Sequence, residues 1–327
     1  MTFTRRNFGT HTIALGAAAA LPVFAQQGPY PNRPIKLVVS VNPGNTGDTR
    51  ARQLAEKLAP LLGQPVVVEN RPGASGNIAA ELVARAPADG YTLLMGNIFN
   101  MTWNPHLLKM SFDPLTTLQA VTMVSAAPPL LVAHPGTPYN TVGEMIAYAK
   151  ANPGKINMGG TTAGIAHVLT EIMQQSTGVN ITFVPYKAAG GQITTDVIAN
   201  VIQVYFDWTV TLAPLLAAGR IKALAVASDK RLSAVPNVPT FAESGYAGGL
   251  NVPSWQGFYA PAGTPPEILS RLATETSKVL NLPEIKSSFE SVGTTIGGNT
   301  PQQFQAFTMA EGERWSKIIK QAGIRIE

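Results

Sequence analysis

Ile35–Val41 reads IKLVVSV, Pro43–Gly47 reads PGNTG, and the next apolar residues are Ala51, Leu54, Ala55, Leu58, Leu61 and Leu62. The first stretch is an apolar run of strand length and the second a glycine loop. The third recurs at i, i+3, i+4, i+7, i+10 and i+11, one face of a helix that Gly63 closes. The unit then repeats. Pro65–Glu69 (PVVVE) is a strand, Asn70–Gly76 (NRPGASG) a second glycine loop, and 77–85 a helix. Pro87-Ala88-Asp89-Gly90 turns the chain into a third strand, Tyr91–Gly96. Strand, loop, helix and strand in succession demand right-handed crossovers and a parallel sheet with helices on its faces.

A proline-rich stretch interrupts the pattern, which restarts at Pro129–Ala133 as a strand, Thr141–Ala151 as a helix and Lys155–Met158 as a strand. Gly159–Gly164 (GGTTAG) opens a helix through Thr177. Strands at Ile181–Pro185, Val204–Asp207 and Ile221–Ala227 alternate with helices near 191–199 and 212–218, and Trp255–Ala260 is a further strand. Helices over 265–279, 283–291 and 301–322 end the chain, the first and last entered through Thr-Pro caps at Thr264 and Thr300. The expectation is α/β with two lobes, each a mostly parallel sheet flanked by helices. Residues 26–128 with 229–327 form lobe 1, which includes the C-terminal helices, and 129–228 form lobe 2.

The start of the chain reads differently. Met1–Ala25 has Arg5 and Arg6, then an apolar run over 12–21, then Val23-Phe24-Ala25. The run is shorter than the roughly 20 residues a bilayer span needs, and small residues precede the expected cut at Ala25. This is an export signal, and Thr4-Arg5-Arg6-Asn7-Phe8 has the look of a twin-arginine motif without the usual Lys. The signal carries two arginines and no acid, which leaves 22 Lys+Arg against 19 Asp+Glu after it. No basic run clusters that small excess, so a nucleic-acid partner is not expected. The absence of any cysteine excludes disulfides, thiolate metal sites and a lipid-anchored cysteine.

Catalytic signatures are missing. His106, His134 and His167 stand apart, with no companion at metal-ligand spacing. Neither a G-x-S-x-G elbow nor a Walker A loop occurs, and Gly44-Asn45-Thr46-Gly47 is only a fragment of a dinucleotide fingerprint. Four strand ends instead run into a glycine- or hydroxyl-rich loop ahead of a helix: 43–48, 70–77, 159–164 and 186–191. Such junctions turn backbone N–H groups and the positive helix end outward, which suits a small anion. In open α/β sheets these loops lie where ligands bind.

At these loops the chain resembles the Bug-type, tripartite tricarboxylate transporter substrate-binding proteins. The resemblance rests on Tyr30-Pro31-Asn32-Arg33-Pro34-Ile35, Pro43-Gly44 with Asp48, and Gly63 through Gly73 (GQPVVVENRPG). Asp89-Gly90-Tyr91-Thr92-Leu93-Leu94, Val184-Pro185-Tyr186-Lys187, Phe206-Asp207, Ala218-Gly219-Arg220-Ile221-Lys222 and Ala260 through Pro265 extend it. It implies a type II-like periplasmic binding protein with a ligand cleft between its lobes. Such a protein is a monomer without a cofactor that captures a small carboxylic acid and delivers it to a membrane permease. An exported hydrolase or isomerase, for which Asp207 with His167 is the one available pair, and a sensor-coupled receptor are the alternatives.

By motif position the resemblance places the carboxylate at Pro43, Gly44, Asn45, Thr46 and Asp48, and at Gly160, Thr161, Thr162, Ala163, Gly164 and His167; Asp48 is also a candidate cap for its own helix. Asn45 stands where a second glycine is common. Thr161 and Thr162 are expected to donate hydroxyls, Ala163 and Gly164 their amides, and His167 to brace the loop. Asn97 and Phe99 belong to the loop after the third strand, where Phe99, Met101 and Trp103 either line a pocket for an aromatic acid or pack under the loop; a dicarboxylate and an amino acid are the other ligands left open. Tyr186 is a candidate to reach the cleft. Asp207 either receives a ligand ammonium or orients the loop beside Trp208.

Overall fold

The computed structural model describes residues 29–187, 191–246 and 250–324. The export signal expected at 1–25 lies outside the described residues. The chain opens with β1 (Ile35–Val39), α1 (Thr46–Leu62), β2 (Val66–Asn70), α2 (Asn77–Ala84) and β3 (Thr92–Asn97). A π-helical turn, Phe99–Trp103, leads into two short helices, α3 (Asn104–Leu107) and α4 (Pro114–Thr117), and then β4 (Leu118–Ala127). Next come β5 (Pro129–Ala133), α5 (Val142–Ala151), β6 (Asn157–Thr161), α6 (Ile165–Thr177) and β7 (Thr182–Tyr186). They are followed by α7 (Gly191–Ile198), β8 (Val204–Trp208), α8 (Thr209–Ala217) and β9 (Lys222–Val226). The last elements are β10 (Ser254–Pro261), α9 (Pro266–Leu280), α10 (Pro283–Glu290), β11 (Thr295–Ile296) and α11 (Pro301–Gln321).

Two sheets form, in the orders β11-β4-β10-β3-β1-β2 and β7-β6-β8-β5-β9. Parallel pairs are β1 with β2 and β3, and β6 with β7 and β8. In each sheet one strand that has come across from the other lobe, β10 or β5, runs antiparallel between two neighbours. Both sheets are therefore mixed, because a chain that crosses between lobes and returns must reverse direction within each. β4, ten residues long, is absent from the sequence reading. It lies inside the sheet between β10 and β11, where its interior is buried on both sides and alternation is lost.

The register shows which way the strand ends face. β4 ends at Ala127 and β5 begins at Pro129, whose partner is Trp208, the last residue of β8. On the return, Ser254 at the start of β10 pairs with Ala127, and Gln256 with Asn97, the last residue of β3. Both crossings thus adjoin the carboxyl ends of the parallel strands, and the loops that follow those ends in the two lobes share one junction.

Helix ends follow from local chemistry. Asn45 caps α1 by accepting the Gly47 amide at 3.0 Å, and Thr300 with Gln303 forms a capping box on α11. The Thr264 cap is not found. Its hydroxyl donates to Pro261 O at 2.7 Å and closes a turn, so α9 starts at Pro266 with Pro265 as its cap residue.

Packing centres on β10. Gly257 lets the Phe304 ring of α11 lie directly on the strand: a Cβ there would stand 2.2 Å from the ring and 2.8 Å from Thr122 O. Trp255, fully buried, packs edge-on against Phe304 and Phe307 at 5.7 and 5.8 Å, and Trp103 meets Trp315 at 4.6 Å. One hydrophobic cluster runs through both lobes, joining Leu94, Trp255 and Phe304 to Leu131, Val168 and Phe206. At its far end α11 reaches lobe 2, where Gln175 of α6 donates to Gln321 O.

Gly257→Ala is expected to lower stability by about 1–3 kcal/mol or more, the usual range for overpacking, read as a fall in denaturation midpoint. Combining it with Phe304→Leu should restore part of the loss. A single variant as stable as the wild type would contradict the close approach.

Candidate functional site

The first loop, 43–48, is built around Asp48. The chain must turn sharply from β1 into α1, and the buried Asp48 carboxylate holds that turn by accepting the Gly44 amide at 2.9 Å and Asn70 Nδ2 at 2.8 Å. Arg52, one turn on, pairs with it at 2.9 Å. These partners, Arg52 foremost, hold the Asp48 carboxyl at about 2. Asp48 is therefore a brace for the loop, with its oxygens already taken, rather than a free acceptor. Pro43, Gly44, Asn45 and Thr46 are exposed on the loop that it supports. Gln256 of β10 lies beneath, with Nε2 3.7 Å from where a Cβ on Gly47 would stand and Oε1 buried without a partner among the described residues.

In the loop after β3 the apolar side chains take the second of their two expected roles, packing under the loop. Met101 and Trp103 are fully buried and belong to the core, and Phe99, half-buried, packs edge-on against Trp103 at 5.2 Å. The apolar side chains in this loop thus turn inward, since the π-helical turn sets them against α11. Asn97 Oδ1 accepts the amides of Phe99 and Asn100 at 3.0 and 3.2 Å, and so shapes the turn. Polar groups remain at the strand ends. They include Ser40 after β1 and Asn100 after β3, which the sequence reading did not select, and Gly76 before α2, which lies in the glycine loop 70–77 that it did. Only the Asn-rich spelling of the loop after β3, Asn97 and Asn100, marked Asn100, and nothing marked Ser40.

In lobe 2, β6 ends at Thr161 and the chain turns through Thr162 and Ala163 into α6. Gly160 is buried under the Phe183 ring and Ala166. The amides expected to grip a carboxylate are already used: Gly164 N–H donates to Thr161 O at 2.9 Å, and Ala163 N–H donates to His167 Nδ1 at 3.2 Å. What the turn leaves for a ligand are the first-turn amides of α6, at Ile165, Ala166 and His167, which have no carbonyl behind them. The hydroxyls of Thr161, half-buried, and Thr162, exposed, add to these. His167 stacks on Phe183 at 4.3 Å, and burial lowers its pKa. Because Nδ1 accepts, the imidazole is neutral with its proton on Nε2. It braces the loop.

Tyr186 does not present its hydroxyl to the junction. It donates to Asp196 on α7 at 2.6 Å, and burial with that carboxylate raises its pKa to about 12. Asp207, buried at the end of β8, accepts from Tyr205 Oη and from the Trp208 amide, each at 2.8 Å, and also from Thr211. Of its two expected roles, the structure supplies loop orientation. Burial raises its pKa to about 6, against these bonds. His167 and Asp207 have separate partners and share no hydrogen bond among the described residues, so they form no dyad.

Two pH dependences follow. Asp48 is held below its ordinary 3.8, so its contribution is complete above that value and is lost as pH falls toward about 2. Asp48→Asn should cost about 1–3 kcal/mol at neutral pH, and the gap in melting temperature to the wild type should close on acidification. A constant gap would contradict the ion pair. Asp207 has the opposite sign. Its charge weakens the fold above about pH 6, and the penalty fades as pH falls toward 3.8. Asp207→Asn should therefore gain most in melting temperature at alkaline pH; a loss there that persists at every pH would contradict this.

With the geometry in hand, comparison with known proteins is direct. The family model described as tripartite tricarboxylate transporter family receptor (TctC) matches residues 50–324. Protein BugT of Bordetella pertussis (strain Tohama I) is 34% identical over 318 residues, covering 95% of this chain and 95% of its own. Among solved structures, R. palustris Rpa4515 with adipate is 35% identical with a TM-score of 0.81, covering 91% of this chain and 100% of that one. MatC (Rpa3494) from Rhodopseudomonas palustris with bound malate is 27% identical with a TM-score of 0.78, covering 89% of this chain and 100% of that one. The two-sheet fold, the loops at its junction and these matches agree: the chain belongs to the tripartite tricarboxylate transporter receptor (TctC) family of solute-binding proteins.

Proposed function

We propose that this protein is a periplasmic receptor that closes on a small organic acid at the junction of its lobes and passes it to a membrane permease. The observation that carries the reading is the convergence of unspent donors at the strand ends of both lobes. The first turn of α6, the hydroxyls of Thr161 and Thr162, and the exposed loop 43–46 adjoin the same crossings. Helix N-termini and hydroxyls stabilise a carboxylate without a metal or cofactor. The relatives captured with adipate and malate support an acid as ligand. The inward turn of Met101 and Trp103 removes the argument for an aromatic one. Asp207, taken up by its own lobe, gives an amino acid no evident counter-charge.

The reading is tested on mature protein from Gln26, unfolded and refolded to strip any bound acid, by thermal shift against adipate, malate, benzoate and glutamate. Ligand at about 100 times its dissociation constant adds roughly 2.7 kcal/mol, so an aliphatic acid should raise the midpoint visibly and be recovered unchanged. Thr161→Val with Thr162→Val should weaken that binding by about 1–3 kcal/mol. No shift with any acid, or a hit that is consumed, would remove the receptor reading. Delivery is read separately, as loss of uptake of the same acid in cells lacking the protein.

A further inference from the structure

Ala163 stands in a backbone conformation that side chains disfavour. Its φ is +60, in the left-handed region, and the residue is buried. A residue other than glycine keeps such a backbone only where its surroundings hold it there. Two bonds do so. Gly164 N–H closes the turn on Thr161 O at 2.9 Å, and the Ala163 amide donates to Nδ1 of His167 at 3.2 Å. The imidazole is clamped in turn by the Phe183 ring, stacked on it at 4.3 Å and 15°.

This arrangement stands in for an ordinary helix cap. The cap residue of α6 is Gly164, which has no side chain to offer, and His167, third in the helix, reaches back past it to the Ala163 amide. A capping box uses Glu or Gln at that helix position. Imidazole differs, because Nδ1 accepts only while it is unprotonated. An imidazolium has an N–H on both nitrogens, so its Nδ1–H would meet the Ala163 N–H donor against donor. Its charge would also sit at the positive end of α6. Burial lowers the His167 pKa below its ordinary 6.5, outweighing Glu171, the ionisable group one turn along α6. From β7 the ring meets Phe183, and from the turn it meets backbone, neither of them charged.

The first-turn amides of α6 and the hydroxyls of Thr161 and Thr162 take their directions from this turn. We propose that the neutral imidazole of His167 holds these donors in line for the captured acid, and that its protonation lets the acid go. The inference rests on the receptor reading above and gives that site its regulation. The His167 side chain is a positioning group that acts through Ala163. The sign is diagnostic: by charge alone an imidazolium would draw a carboxylate more tightly, whereas loss of the turn weakens the grip.

The test is isothermal titration of the stripped protein with each of adipate, malate, benzoate and glutamate that binds. His167→Ala removes the acceptor and should weaken binding about tenfold at neutral pH. His167→Asn places Oδ1 where Nδ1 stands and does not titrate, so it should recover the affinity to within about threefold. Ala163→Gly removes the need for a holder. Added to His167→Ala, it should recover affinity too, which a merely structural loss would not allow. Acid also protonates part of the ligand, so wild-type affinity is read against a recovered variant at the same pH. From about pH 7.5 to about pH 5 that ratio should fall by about threefold or more. A constant ratio, or one that rises in acid, overturns the pH control. Failure of both His167→Asn and Ala163→Gly to recover binding in folded protein overturns the positioning role. Either result leaves the receptor reading intact. If His167→Ala does not fold, the comparison of wild type with His167→Asn decides alone. A wild type that binds none of the four acids overturns the receptor reading, and this inference with it.

Discussion

The approach of α11 to the crossing strand β10 is the constraint on which the rest depends. β10 brings the chain back from lobe 2 and must fit antiparallel between β3 and β4, and at Gly257 the backbone is bare enough for the Phe304 ring to lie on it. Trp255, Phe304 and Phe307 then fill the layer above the strand, and the same cluster continues into lobe 2. A side chain at 257 would lift α11, and with it Trp315 and the turn that holds Trp103. The return crossing into lobe 1 is therefore held by packing, and the loops of that lobe inherit their positions.

What surrounds the junction is mostly already satisfied. Asp48, His167, Tyr186 and Asp207, the residues with the most conspicuous chemistry, are each occupied in holding a loop or tying a strand to a helix. The groups left over are weak singly: threonine hydroxyls, first-turn amides and one buried carboxamide. In the proposed receptor role their strength would come from being held in place in advance, because the loop bonds fix their directions and leave a ligand little to order. Titratable side chains serve the geometry, and the donors left over are neutral.

Much of the fold was legible in the sequence because strands and helices announce themselves by period. Ile35–Val39, Val66–Asn70 and Thr92–Asn97 fall where the apolar runs lie, and the amphipathic spacing after Pro43 gives α1. β4 was not legible, since a strand buried from both sides carries no alternation, nor was the Thr264 turn, whose hydroxyl had a nearer acceptor than the helix amides. At the site, the glycine- and hydroxyl-rich loops marked the strand ends correctly. The role of each residue in them was less legible. Ala163 and Gly164 donate within their own turn, and Met101 and Trp103 point into the core, outcomes set by backbone direction rather than residue type.

The sequence by itself determined the α/β alternation, the glycine loops at the strand ends and the family, because periodicity and turn chemistry are local and survive without a partner. Only the tertiary structure decided which donors remain free. A hydrogen-bonding group belongs to a ligand or to its own fold according to what lies within about 3 Å of it, and that depends on strands distant in sequence. Asn100, Ser40 and Gly76 are separated along the chain, and it is the parallel pairing of β1 with β3 and with β2 that brings them to one point.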